Sequence, residues 1–154
     1  MKTSLLRRLF TAAAFVLVVA AVPPATAQVE GSASFFSAGT TSEDVSTFLA
    51  RLQKAVASDE RAAVAKLVAF PLRAWNGQAT VSVRNRQEFL AQYPKIFTAN
   101  LKQTIAAAKV EQAFANWQGV MFDNGSFWIR PDDAGTLEIV TINRGDHTAT
   151  GKKP

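Results

Sequence analysis

The chain has 154 residues, 48% of them hydrophobic and 19% charged, with a formal net charge of +5 and no cysteine. That length and apolar content suit one domain with its own core and exclude a wholly disordered chain, while the lack of cysteine excludes a disulfide scaffold and thiolate metal sites. Net positive charge argues for a nucleic-acid or membrane-surface partner only if the basic residues belong to the folded part.

They do so only in part. Met1 to Ala27 reads as a cleavable export signal: Lys2, Arg7 and Arg8 make a basic start, Thr11 to Val22 an uncharged apolar run, and Ala25-Thr26-Ala27 a small-x-small cleavage site before Gln28. The apolar run falls short of the roughly 20 residues that a bilayer requires, and Pro23-Pro24 ends it, so no stable membrane anchor is expected after cleavage. Arg7-Arg8-Leu9-Phe10 also resembles the core of a twin-arginine signal, although Leu6 and Thr11 depart from its pattern, and the general secretory route leads. Either route delivers the protein to the periplasm or the exterior. Three of the 17 basic residues and none of the 12 acidic ones lie in the signal, which leaves 14 against 12, a net charge of +2. Twelve of the remaining basic residues are scattered from Arg51 to Arg144 among acidic ones, and Lys152 and Lys153 end a polar tail, so nucleic-acid binding loses its support.

Residues 28–41 are rich in Ser, Gly and Ala without a period and read as a flexible leader, in which Phe35-Phe36 is an apolar pair suited to docking on the domain. A helix is expected after Thr41 or Ser42, with Glu43 and Asp44 at the positive end of its dipole and Val45, Phe48, Leu49, Leu52 and Val56 on one buried face. Ser58 is expected to cap a shorter second helix with Asp59 and Glu60 in its first turn and Val64, Leu67 and Val68 as its buried stripe. Pro71 ends the helical pattern. Phe70 to Trp75 then reads as a strand, Asn76-Gly77 as a two-residue hairpin turn, and Gln78 to Arg84 as the return, with Ala79, Val81 and Val83 on the buried side.

Asn85 followed by Glu88 resembles a capping box, so a third helix carrying Phe89, Leu90 and Tyr93 is expected, broken or kinked at Pro94. Thr98 can cap a further segment in which Leu101, Ile105 and Ala108 align. Phe114 to Phe122 reads as one strand, Asp123-Asn124-Gly125 as a second hairpin turn, and Ser126 to Arg130 as its return, with Phe127 and Ile129 facing opposite to Trp128 and Arg130. Pro131 to Gly135 turns again and Thr136 to Asn143 makes a last β-branched strand, so residues 42–143 form a single α+β domain and residues 144–154 a disordered polar tail.

The order helix, helix, hairpin, helices, then three strands (ααββααβββ) resembles the superfamily that includes nuclear transport factor two, ketosteroid isomerase and the SnoaL-like proteins, and within it a group of small exported bacterial proteins. The residues that carry the resemblance are Asp59 with Val64 to Leu72, Asn85 to Phe89 with Tyr93 and Ile96-Phe97-Thr98, and Asn116 to Met121 with Asn124 to Ile129. It implies a cone-shaped domain, N-terminal helices packed on a strongly curved antiparallel sheet, with a cavity open at one end. That architecture serves isomerases, dehydratases, transport factors and binding domains alike, so it implies no single activity.

Trp75, Tyr93, Trp117, Met121 and Trp128 would suit an apolar or aromatic guest if they lined the mouth of such a cavity, although alternating aromatics in strands more often serve packing. Arg73, Arg84, Arg86 and Arg130 would form an anion or carboxylate site if the two hairpins share the sheet, the alternative being a solvated sheet face. The ketosteroid isomerase machinery does not carry over, since Tyr93 is the only tyrosine; Tyr93, Asp123 and Glu138 are the weak candidates for proton transfer. His147, the single histidine, stands in the tail without the partners zinc needs, and Asp132-Asp133 lacks the spacing of a calcium loop.

These observations point to an exported, non-enzymatic domain that binds a small apolar or anionic ligand or a partner protein, with Arg73, Trp75, Arg84, Tyr93, Trp117, Trp128 and Arg130 as candidate contacts. A homodimer through the open sheet face is one arrangement it would allow. No cofactor and no metal is expected. The rival is an isomerase or lyase acting inside the cone.

Overall fold

A computed structural model describes residues 35–143. The segment read as an export signal, the start of the segment read as a leader, and the tail with His147 lie outside the described residues. Residues 35–37 are helical; Phe35 is buried against the core at 6% exposure, while its neighbour Phe36 remains 84% exposed.

Helix α1 (Ser42–Ala57) begins where the side chain of Thr41 accepts a hydrogen bond from the Asp44 amide at 3.1 Å, and its Val45, Phe48, Leu49, Leu52 and Val56 are all buried, as their spacing predicts. Ser58 closes this helix instead of opening the next. Asp59 then adopts a left-handed backbone, φ 48°, and spends its carboxylate on Arg61 and Lys102, so no side chain caps the short helix α2 (Arg61–Val64). The chain continues as a 3-10 turn, Ala65–Leu67, into strand β1 (Val68–Trp75).

The link from β1 to β2 (Thr80–Val83) spans residues 76–79 and is twice as long as the expected two-residue turn, because Trp75 pairs with Thr80. The side chain of Asn76 accepts from the amides of Gln78 and Ala79 at 3.1 and 3.0 Å, and Gly77 takes φ 94°, a turn organised by its first side chain. Helix α3 (Arg86–Ile96) is capped by Asn85, whose side-chain oxygen accepts from the Glu88 amide at 2.9 Å. Glu88 reaches back one residue further than a capping box requires, to the Arg84 amide at 2.9 Å. Pro94 neither breaks nor ends this helix, which runs on to Ile96; it stands in the last turn, where little helix remains to be redirected. Thr98 caps α4 (Ala99–Ala107), which buries Leu101 and Ile105, and the Gln53 side chain donates to the carbonyls of Ile105 and Ala108, both at 3.0 Å, closing its far end.

The expected strand Phe114 to Phe122 is in fact a hairpin, β3 (Phe114–Asn116) and β4 (Gly119–Phe122), so four strands and not three follow the helices. Its turn, Trp117-Gln118, is held by the Asn116 side chain accepting from the Gln118 amide at 2.8 Å. Gly119 takes φ 133°, and a Cβ there would run into the Ile129 carbonyl oxygen, so glycine is required for β4 to approach β5. Strands β5 (Phe127–Pro131) and β6 (Leu137–Ile142) complete an open six-stranded sheet in the order β2-β1-β6-β5-β4-β3.

All neighbours are antiparallel except β1 and β6, which run parallel, so the sheet is mixed and not purely antiparallel. Pro71 lies where the β1–β6 register shifts between Val68 and Arg73, a place where a missing backbone donor is tolerated. One face of the sheet carries Leu72, Val120, Phe127, Ile129, Ile139 and Ile142, each no more than 1% exposed, against α1 and α3. Val140 is the extra residue of a bulge in β6, which returns Thr141 to the opposite face beside Trp128.

Candidate functional site

The face of the sheet turned away from the helices carries a continuous cross-strand row. Phe114 pairs with Met121, Met121 with Trp128, Trp128 with Thr141, Thr141 with Arg73 and Arg73 with Ser82. The row is apolar on β3 to β5, with Met121 between two aromatic rings, and cationic on β1. Phe114 is 53% exposed, far more than a core aromatic.

Above this row lies a groove of about 560 Å³, lined by Arg73 from β1, Trp128 and Arg130 from β5, Thr141 from β6, and Trp117 and Gln118 from the β3–β4 turn. Phe70 and Pro71 of β1 also line it. Trp117, on the β3–β4 turn, stands 79% exposed. Both guanidinium groups are exposed, and among the described residues neither has an ion pair or hydrogen bond. Glu138 is the register partner of Arg130, half-buried, and desolvation, followed by the charge of Asp132, raises its carboxyl above the usual range. Two planar cations beside two indoles can accept a planar anion by bidentate hydrogen bonds while its apolar part stacks.

Of the residues expected to meet a ligand, the structure brings together Arg73, Trp117, Trp128 and Arg130. Trp75 is half-buried at the end of β1 and outside this groove. Arg84 sits across the sheet, where Glu88 holds it at 3.2 Å and is itself shifted below the ordinary carboxyl range, first by the Arg84 amide and then by its side chain. Arg86 lies on the first turn of α3, also away from the groove.

Tyr93 is on the other side of the sheet, 1% exposed, stacked on Phe97 at 4.6 Å and edge-on to Phe89 at 5.7 Å. Arg61 and Lys102 stand over its ring at 5.3 and 5.5 Å. Its hydroxyl has no hydrogen-bond partner among the described residues, and burial, reinforced by the charge of Asp59, pushes its pKa up to about 12. Asp123 occupies the β4–β5 turn with φ 47° and accepts the Ser126 hydroxyl at 2.6 Å. The three residues considered for proton transfer therefore stand in three settings: Tyr93 in the core, Asp123 in a turn and Glu138 on the outer face.

Among the described residues no cluster of three His, Asp or Glu side chains is placed to hold a metal, and no helix is long and apolar enough to cross a membrane. Asp132 spends one carboxylate oxygen on the amides of Ala134 and Thr136, at 2.9 and 2.7 Å, which is turn chemistry. Sequence reasoning missed Gln118 and Thr141 as lining residues. Asn116 and Gly119 flanking Trp117-Gln118 were the available turn signal; nothing local marks the bulge that turns Thr141 outward. The chain matches no protein-family model, no curated protein and no solved structure.

Proposed function

We propose that the protein is an exported, non-enzymatic binding domain that captures a small ligand joining an aromatic or apolar body to a carboxylate or similar anion in the groove on its outer sheet face. The observation that carries this reading is the convergence of Arg73 and Arg130, both without ion-pair partners among the described residues, with Trp117 and Trp128 around one opening of about 560 Å³. Sites of roughly 300–1,000 Å³ suit small molecules, and an exposed indole, that of Trp117, beside guanidiniums without ion-pair partners among the described residues serves recognition better than packing. The same face, with Phe114 and Met121 at its edge, is where a homodimer would form. A cone-shaped domain of the nuclear transport factor two and ketosteroid isomerase type is the architecture we infer, supported by the helices preceding the strands and by β1 lying beside β6. Export rests on the basic, apolar and small-residue succession of Met1 to Ala27.

Native mass spectrometry of protein purified from its host's envelope tests the whole reading: a chain beginning at Gln28, with a retained small mass or a second subunit, is the expected result. Tryptophan fluorescence titrated with 2-naphthoate tests the groove. Saturable quenching is expected in the parent and at least tenfold weaker binding in the Arg73→Gln, Arg130→Gln double variant; equal affinity in both would refute the assignment.

A further inference from the structure

A second groove, on the helical side of the molecule, has a different chemistry. It encloses about 570 Å³ between α4, the 3-10 turn Val110–Gln112 and the β4–β5 turn. Four of its lining side chains are carboxamides, Asn100, Gln103, Gln112 and Asn124, and Thr104 adds a hydroxyl. Its two charged members, Lys109 and Asp123, offset each other, so the groove presents no net charge. Phe122 contributes the only aromatic surface and is 2% exposed, which leaves little for an apolar guest.

The walls are braced from behind. Gln53 fixes the C-terminal carbonyls of α4, after which Ala108 turns extended, ψ 140°, and carries Lys109 and Gln112 around the opening. Asn100, Gln103, Thr104 and Ala107 follow the three-and-four spacing of one helix face, opposite the buried Leu101 and Ile105. On the far wall Asp123 and Asn124 are both left-handed, φ 47° and 51°, and the turn is tied down by the Ser126 hydroxyl and by Asn143, which donates to the Gly125 carbonyl at 2.6 Å. Elsewhere the amides of Gln53, Asn85, Asn116 and Asn143 are spent on the backbone, whereas those of Gln103, Gln112 and Asn124 have no partner among the described residues.

A carboxamide offers a donor and an acceptor side by side, the pair that vicinal hydroxyl groups match, and an electroneutral polar lining favours an uncharged guest over an ion. We propose that this groove binds a neutral saccharide, independently of the anion groove on the sheet face.

The test is a two-dimensional amide NMR titration of the purified protein with maltotriose and with chitotriose, and with glucuronate as the charged comparison. The expected result is a saturable shift of the Gln103, Gln112 and Asn124 side-chain amides with at least one neutral trisaccharide, at a Kd on the order of 1 mM for so open and polar a site. Gln103→Ala combined with Asn124→Gly, the glycine preserving the left-handed backbone, should weaken that binding at least fivefold, whereas Arg73→Gln should leave it unchanged. No shift with either trisaccharide at about 20 mM, tighter binding of glucuronate, shifts mapping to the sheet face, or undiminished affinity in the double variant would each overturn the proposal.

Discussion

Tyr93 offers a direct measurement of how the core is built, because it is the only tyrosine in the chain and its phenolate absorbance is unambiguous. The ring is 1% exposed and its hydroxyl lacks a hydrogen-bond partner among the described residues, so ionising it in place would bury a charge that the Arg61 cation offsets only in part. With a folded pKa of about 12 against an ordinary value of about 10, the proton is held two units more tightly in the native state, worth about 2–3 kcal/mol. Below pH 10 the phenol is neutral in both states and that contribution is fully present. As the pH rises from 10 to 12 the unfolded chain ionises first, binds fewer protons than the folded one, and stability falls. Tyr93→Phe should abolish that part of the alkaline slope while keeping the ring contacts with Phe89 and Phe97 and the cations above it. At neutral pH it removes an unsatisfied buried hydroxyl and should raise stability by about 1 kcal/mol, or about 5 °C in Tm for a domain of this size. The assays are an alkaline titration of phenolate absorbance, native and in urea, and urea unfolding of both proteins. A native midpoint near 10, or a loss of about 1 kcal/mol in Tyr93→Phe, would mean that the hydroxyl is wet or bonded and would refute this account of the core.

Gln53→Ala should cost about 1–2 kcal/mol in urea unfolding, because the carbonyls of Ile105 and Ala108 lose their donor, and amide exchange should quicken at the end of α4. Gly119→Ala should destabilise by more than about 2 kcal/mol, since it drives a Cβ into the Ile129 carbonyl and strains a positive φ; a cross-strand contact between Trp128 and Met121 surviving intact in its NMR spectrum would contradict this. Asp59 titrates below its ordinary 3.8, first through Lys102 and then through Arg61, so its contribution is present above that pH and disappears as the pH falls through the lowered value. Asp59→Asn keeps a residue tolerant of φ 48°, so its denaturation curves should lie below the parent's near neutrality and merge with them in acid.

What was legible in the sequence was local. The α1 stripe follows from spacing alone, and Thr41, Asn85 and Thr98 cap as expected because a capping bond spans only three residues. Ser58 misled because its sequence context suits an N-cap, while the left-handed Asp59 and its long-range bond to Lys102 decide where α2 begins. The β3–β4 hairpin was read as one strand because Trp117-Gln118 is not a strong turn pair; the signal lay in its flanks. The parallel β1–β6 pairing joins residues about 70 apart and has no local signature at all. The arginine cluster was half legible: strand alternation set Arg130 opposite in facing to Phe127 and Ile129, and Arg73 joins it because the two hairpins share the sheet, but Arg84 is taken by Glu88 four residues later, a partner visible in the sequence only once the helix start is fixed.

The sheet buries one face and leaves the other largely exposed, and this determines which perturbations inform on the proposed groove. Residues such as Phe127 and Ile129 are fully buried on the helical face, so any change there alters folding and binding together. Trp128 is half-buried between Met121 and Thr141, and its removal would disturb the cross-strand row as well as the groove. Arg73 and Arg130, by contrast, are exposed and their side chains have no partner among the described residues, and substitution at such positions ordinarily changes stability by no more than about 0.5 kcal/mol. A binding loss in the double glutamine variant with an unchanged urea midpoint would therefore report on the guanidiniums alone. A matching loss of stability would instead show that the two charges support the sheet, and the outer groove would lose its claim to be a site.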